Sequence, residues 1–139
     1  REGLPAHTLH AVEEAVLKTK DNTGLILNFA LNYGSRKEML DAVKQFSQDV
    51  QDGKAALEDL DEERFKSYLL TKELPDPDLL IRTSGELRLS NFMLWQLAYT
   101  ELYFTPKYWP AFSEADFMLP LWSFPVLCRK SIHCQYFNT

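Results

Sequence analysis

The chain has 139 residues, enough for one domain with a real hydrophobic core. Hydrophobic residues make up 45% of it and charged residues 25%, an ordinary balance for a soluble globular protein. A formal net charge of −5, with no long basic run, excludes a general nucleic-acid binder but leaves room for a local anion site.

No run of about 20 apolar residues occurs, so no bilayer span is expected. Arg1-Glu2-Gly3 leads into no apolar core segment, so no signal peptide is expected either. Residues 5–19 read as a helix, with His7, Leu9, Val12, Val16 and Leu17 near one face. Asp21-Asn22-Thr23-Gly24 is a turn signal. Leu25 to Tyr33 is apolar and short enough for a buried strand, which Gly34 ends. Met39, Leu40, Val43, Phe46 and Val50 recur at helical spacing between Lys37 and Val50. Gln51 to Leu60 is polar and reads as a loop. Asp61 can cap a helix from Glu62 to Leu70, with Phe65, Tyr68 and Leu69 on its apolar face.

Pro75 and Pro77 break the chain before a strand at Asp78 to Arg82. A helical pattern runs from Asn91 to Leu102, and Tyr103-Phe104-Thr105 reads as a short extended piece. Ser113 and Asp116 have the spacing of a capping box. Cys128 and Cys134 show no zinc or disulfide pattern and read as free thiols of a reducing cytoplasm. His133 and Cys134 are too isolated for a metal site. Strands separated by helices predict an α/β fold with a mainly parallel sheet. Two firm strands and one weaker one are half of such a domain. Leu25, Leu27, Phe29, Leu31, Phe92, Leu94 and Trp95 are its expected core.

The most informative segment runs from Pro75 to Glu101. The apolar Leu79-Leu80-Ile81 is followed by a polar turn with Arg82, Thr83, Ser84, Gly85, Glu86, Arg88, Ser90 and Asn91. Guanidinium forks grip phosphate oxygens in pairs, and nearby amides and a helix N-terminus would add donors. The carboxyl end of a strand is also where open α/β sheets place ligands. The competing reading is a surface loop whose arginines pair with Asp76, Asp78 or Glu86. Neither G-x-G-x-x-G nor G-x-x-x-x-G-K-[ST] occurs, so a nucleotide domain lacks support.

The string DPDLLIRTSGELRLSNFMLWQLAY resembles the C-terminal signature of the cis-prenyltransferases, the undecaprenyl diphosphate synthase family. The resemblance continues in NTGLILNFALNYGSR (Asn22 to Arg36) and ELYFTPKYWPAF (Glu101 to Phe112), and spans about Leu4 to Phe117. It implies the C-terminal part of a parallel sheet flanked by helices. It also implies Mg²⁺-dependent condensation of isopentenyl diphosphate with an allylic diphosphate such as farnesyl diphosphate. By resemblance, Arg82, Arg88 and Ser90 hold the isopentenyl diphosphate and Glu101 is associated with Mg²⁺. Asn28, Asn32 and Arg36 match the family's N-x-x-x-N-Y-G-x-R pattern and either shape the cleft or touch substrate. Ser35 departs from that pattern, standing where a second glycine is common.

Some apolar side chains of the family line a product tunnel, and its members work as dimers, for which Trp95 and Trp109 are candidate aromatics. A cytoplasmic enzyme that touches the membrane through its lipid product is implied, with the bacterial cell-wall lipid carrier as the expected product. Two departures are larger. The family's D-G-N-G-R-W-type segment, which carries the aspartate central to Mg²⁺ and allylic diphosphate binding, is absent. Residues 118–139 do not resemble the family's R-x-R-R-F-G-like tail; Pro120 and Pro125 are expected to break a helix there, and the change after Phe117 looks like a shifted reading frame. Arg129-Lys130 are not equated with the tail arginines. The expected organisation is a family portion at residues 1–117 and a divergent tail at 118–139, an inactive fragment of a synthase. The alternative is a non-catalytic partner subunit.

Overall fold

Residues 5–123 are described by this computed structural model, and they alternate helices with one pair of parallel strands. The order is α1 (Ala6–Thr19), α2 (Ser35–Gln51), α3 (Glu62–Lys66), β1 (Leu79–Arg82), β2 (Glu101–Phe104) and α4 (Glu114–Ser123). Short 3₁₀ turns at Leu57–Asp59 and Trp109–Ala111 complete it. β1 and β2 pair in parallel, with Leu79 opposite Glu101 and Arg82 opposite Phe104. The expected α/β class with parallel pairing is therefore present.

The core forms where α2 meets the turns after α3 and before β2. Ala42 and Phe46, four residues apart on one face of α2, are buried with Leu69 and Leu97. Phe46 meets the Tyr68 ring edge-on at 5.7 Å, and Phe65 lies 4.5 Å from Trp95. Phe92, Leu94 and Trp95 are half-buried at its margin. A polar hub lies beside it. The buried Glu38 carboxylate accepts hydrogen bonds from the Tyr33 hydroxyl at 2.5 Å, the Leu70 amide at 2.9 Å and the Gln96 amide group at 3.3 Å. Burial, then the bond to Glu38, push the Tyr33 hydroxyl up to about 12.

Several expectations are corrected. Residues 25–30 take no regular structure, and Leu25 and Phe29 are 90% and 69% exposed; Leu27 and Leu31 are exposed as well. Strand propensity becomes a strand only when a neighbour completes the hydrogen-bond ladder and covers the apolar face. Here β1 and β2 pair with each other. The helix expected from Asn91 is also missing, and residues 90–99 are a run of turns. Ser90, Asn91 and Met93 have φ of 51°, 61° and 46°, and the Leu94 amide donates to the Ser35 hydroxyl at 2.9 Å rather than to a carbonyl one turn back.

α3 stops at Lys66 instead of Leu70 for a similar reason. Asp61 caps it as expected, accepting from the Arg64 amide at 2.7 Å, but the Leu70 amide is taken by Glu38. The polar loop at 51–60 contains the first 3₁₀ turn. α1 forms as expected, with none of its residues buried. α4 runs through Pro120, contrary to the expected break; one lost backbone bond is tolerated where the ring is fully buried. Pro125, Cys128, Arg129, Lys130, His133 and Cys134 lie outside the described residues.

Candidate functional site

β1 delivers Arg82 to the mouth of a cavity of about 330 Å³. Its lining combines Arg82, Thr83 and Ser84 with the apolar side chains of Leu80, Ile81, Leu89 and Phe92. The following turn is held by its backbone. Ser84 and Gly85 sit at φ 72° and 70°, their amides donating to the Lys107 carbonyl at 2.7 Å and the Thr105 carbonyl at 2.9 Å. The Thr105 amide returns a bond to the Arg82 carbonyl at 2.9 Å. These two amides are therefore spent on protein carbonyls, and no helix begins at Asn91. The amide and helix-terminus donors expected from the sequence are not supplied there; an anion would rely on side chains.

Arg88 and Ser90 are exposed and do not line that cavity. Arg88 forms an ion pair with Glu86, so for this arginine the surface pairing anticipated as the competing reading does occur. Glu101 opens β2 opposite Leu79, three residues from the level of Arg82, or about 10 Å along the strands. The register thus places Glu101 and Arg82 at opposite ends of the strand pair. Asn28 lines a different cavity of about 140 Å³, with Tyr33, Thr71 and Met93 among its neighbours. Asn32 has φ 49° in the turn before α2, and Arg36 lies exposed on the first turn of α2.

What joins the two regions is a residue to which sequence reasoning assigned no special role, Asn91. Its side-chain Oδ1 accepts from the Arg36 amide at 2.8 Å, and its carbonyl accepts from the Ser35 amide at 2.8 Å. The neighbouring Phe92 and Met93 line the Arg82 cavity and the Asn28 cavity respectively, and Phe92 meets Tyr33 edge-on at 5.8 Å. The one available signal was the Ser90-Asn91 pair, since asparagine tolerates left-handed backbone and hydrogen-bonds locally.

The family model described as "Putative undecaprenyl diphosphate synthase" matches residues 1–131. The chain belongs to this cis-prenyltransferase family. It is 62% identical over 111 residues to an isoprenyl transferase of Bacillus thuringiensis subsp. konkukian, covering 80% of this chain and 43% of that protein. It is 64% identical over 117 residues to the isoprenyl transferase of Geobacillus kaustophilus, covering 84% and 46%. With that of Bacillus subtilis it shares 56% over 127 residues, covering 91% and 49%. The structure is similar to lavandulyl diphosphate synthase from Lavandula x intermedia, solved in complex with dimethylallyl diphosphate. That match has a TM-score of 0.83 at 41% identity, covering 87% of this chain and 52% of the other. The chain thus spans about half the length of the relatives it matches. As a cis-prenyltransferase chain it comes from a family of transferases that use isoprenoid diphosphates. Among the described residues no helix is long and apolar enough to cross a membrane.

Proposed function

We propose that this chain provides the isopentenyl diphosphate side of a cis-polyprenyl diphosphate synthase. The observation that carries the reading is the composition of the cavity beside Arg82. A half-buried arginine and two hydroxyl residues face the same space as four apolar side chains. Isopentenyl diphosphate has the same two-part character, a dianionic-to-trianionic head on a five-carbon apolar tail. In this reading the Arg82 guanidinium and the Ser90 hydroxyl bind diphosphate oxygens, and Arg88 joins them after exchanging its bond to Glu86 for one to phosphate. Holding the head orients the double bond that attacks the allylic carbon as the allylic diphosphate leaves, after which a proton is lost. Asn28, Asn32 and Arg36 shape the neighbouring cleft. The product is a long polyprenyl diphosphate of the undecaprenyl type, made in the cytoplasm by a homodimer that meets the membrane through this lipid.

Mg²⁺ neutralises a leaving diphosphate when bound, and Glu101 is proposed as one of its ligands. The described residues alone do not fit the ion. They contain no group of three or more His, Cys, Asp or Glu that could hold a metal, whereas Mg²⁺ demands near-octahedral oxygen coordination. Residues 1–117 are taken as the family portion and 118–139 as a divergent tail; sequencing the encoding DNA for a shifted frame after Phe117 tests that division.

Titration of isopentenyl diphosphate into the chain tests the central reading. Arg82→Ala is expected to weaken binding roughly ten- to hundredfold, the loss of about 1.5–3 kcal/mol for a charged hydrogen bond. Equal affinity of the two proteins would remove the cradle and leave the non-catalytic partner subunit as the better reading.

A further inference from the structure

The turn that carries Ser90 is held by contacts from three consecutive residues at the start of α2. Ser35 and Arg36 donate their amides to the carbonyl and the side chain of Asn91, both at 2.8 Å. Ser35, fully buried, accepts from the Leu94 amide at 2.9 Å through its hydroxyl. Gly34 lies so close that a Cβ placed on it would stand 2.9 Å from Asn91 Nδ2. The first amides of a helix have no partner inside the helix, and Asn91 satisfies two of them from outside. In return, the contacts hold Ser90, Asn91 and Met93 at φ 51°, 61° and 46°. Such conformations are costly for residues with a side chain and persist only where the surroundings over-determine them.

We propose that Gly34, Ser35 and Asn91 form a positioning clamp that presets the Ser90 end of the diphosphate cradle against α2. The inference rests on the diphosphate reading above. The three residues act through the turn, not on the ligand: with the clamp in place, the backbone that carries Ser90 is set before the anion arrives, and binding does not have to order it. Ser35 adds one contact to this arrangement that a glycine at its place could not make, the hydroxyl that accepts from the Leu94 amide.

The test is calorimetric titration of the full 139-residue chain with inorganic pyrophosphate, with helix content followed by circular dichroism. Gly34→Ala and Ser35→Ala are each expected to weaken binding about five- to tenfold at unchanged helix content, the scale of one or two lost hydrogen bonds. Added to Asn91→Ala, which removes the atom a new Cβ would meet, Gly34→Ala should cost less than twofold. A purely structural role would not produce this non-additivity in affinity. Should Gly34→Ala fail to fold, Ser35→Ala decides alone. The clamp is refuted if both single variants bind within twofold of wild type while Arg88→Ala binds more weakly. If Arg88→Ala also leaves affinity unchanged, or wild type does not bind pyrophosphate, the cradle reading itself falls and the clamp's role falls with it.

Discussion

At the level of single residues, Arg88 is held by an anion already. Its partner Glu86 is two residues away in the same turn, and the arginine side chain is two-thirds exposed, so the pair is screened by water and weak, on the order of 0.2–1 kcal/mol. A diphosphate would therefore displace it at low cost. Glu86→Gln is expected to tighten isopentenyl diphosphate binding by about two- to fivefold, read by titration at low ionic strength, with the gain shrinking as salt is added. A weaker complex would show that Glu86 orients Arg88 toward the ligand instead of competing with it. The arginines, hydroxyls and glycine of this turn were legible in the sequence because their chemistry is carried by residue type. Their present geometry was not. The sequence does not say that the Ser84 and Gly85 amides go to Lys107 and Thr105, nor that Asn91 reaches Arg36, because those partners lie 20 to 55 positions away along the chain.

Local signals at the level of elements succeeded wherever a few neighbouring residues decide the outcome. Ser113 and Asp116 cap α4 as their spacing predicts: the Ser113 amide donates to Asp116 at 2.9 Å and its hydroxyl at 2.6 Å, and the Asp116 amide approaches the Ser113 hydroxyl at 3.4 Å. Lys107 adds a bond to the other carboxylate oxygen at 2.5 Å while its own carbonyl receives the Ser84 amide. α4 is thereby tied to the turn after β1. Lys107, and then the Ser113 donors, pull the Asp116 carboxyl down to about 2 from an unfolded value near 4. A carboxylate with a depressed folded pKa favours the folded state above its unfolded pKa, and that contribution is lost as pH falls from about 4 through about 2. Thermal melts across this range should show a falling midpoint, and Asp116→Asn should flatten that part of the profile. The helix expected from Asn91 failed because its backbone was captured by Ser35, whose hydroxyl accepts from the Leu94 amide and whose amide donates to the Asn91 carbonyl, a tertiary preference overriding a local one.

The same conflict appears on the scale of the molecule, where local preference found no strand partner among the described residues. Leu25, Ile26, Leu27, Phe29 and Leu31 are exposed together within seven residues, next to α1, whose Val16 and Leu17 are exposed as well. Composition and periodicity identify such a segment as core but cannot say what covers it. Water is a poor cover for contiguous apolar surface, and a β-prone segment without a neighbouring strand is a template for association. In dilute solution the chain should therefore bind an apolar dye strongly and elute on size exclusion above its 16.2 kDa monomer mass, increasingly so with concentration. Replacing Leu27 and Phe29 together by lysine, at positions that contribute no buried side chain, should suppress both effects without loss of α2 helicity. Dye binding and elution unchanged by the double substitution would place the associating surface elsewhere, with the exposed Tyr99 and Trp109 as the next aromatics to change. Monomeric elution of the unaltered chain at every concentration would instead count against the proposed homodimer, because apolar surface of this extent would then persist in water without drawing two copies together.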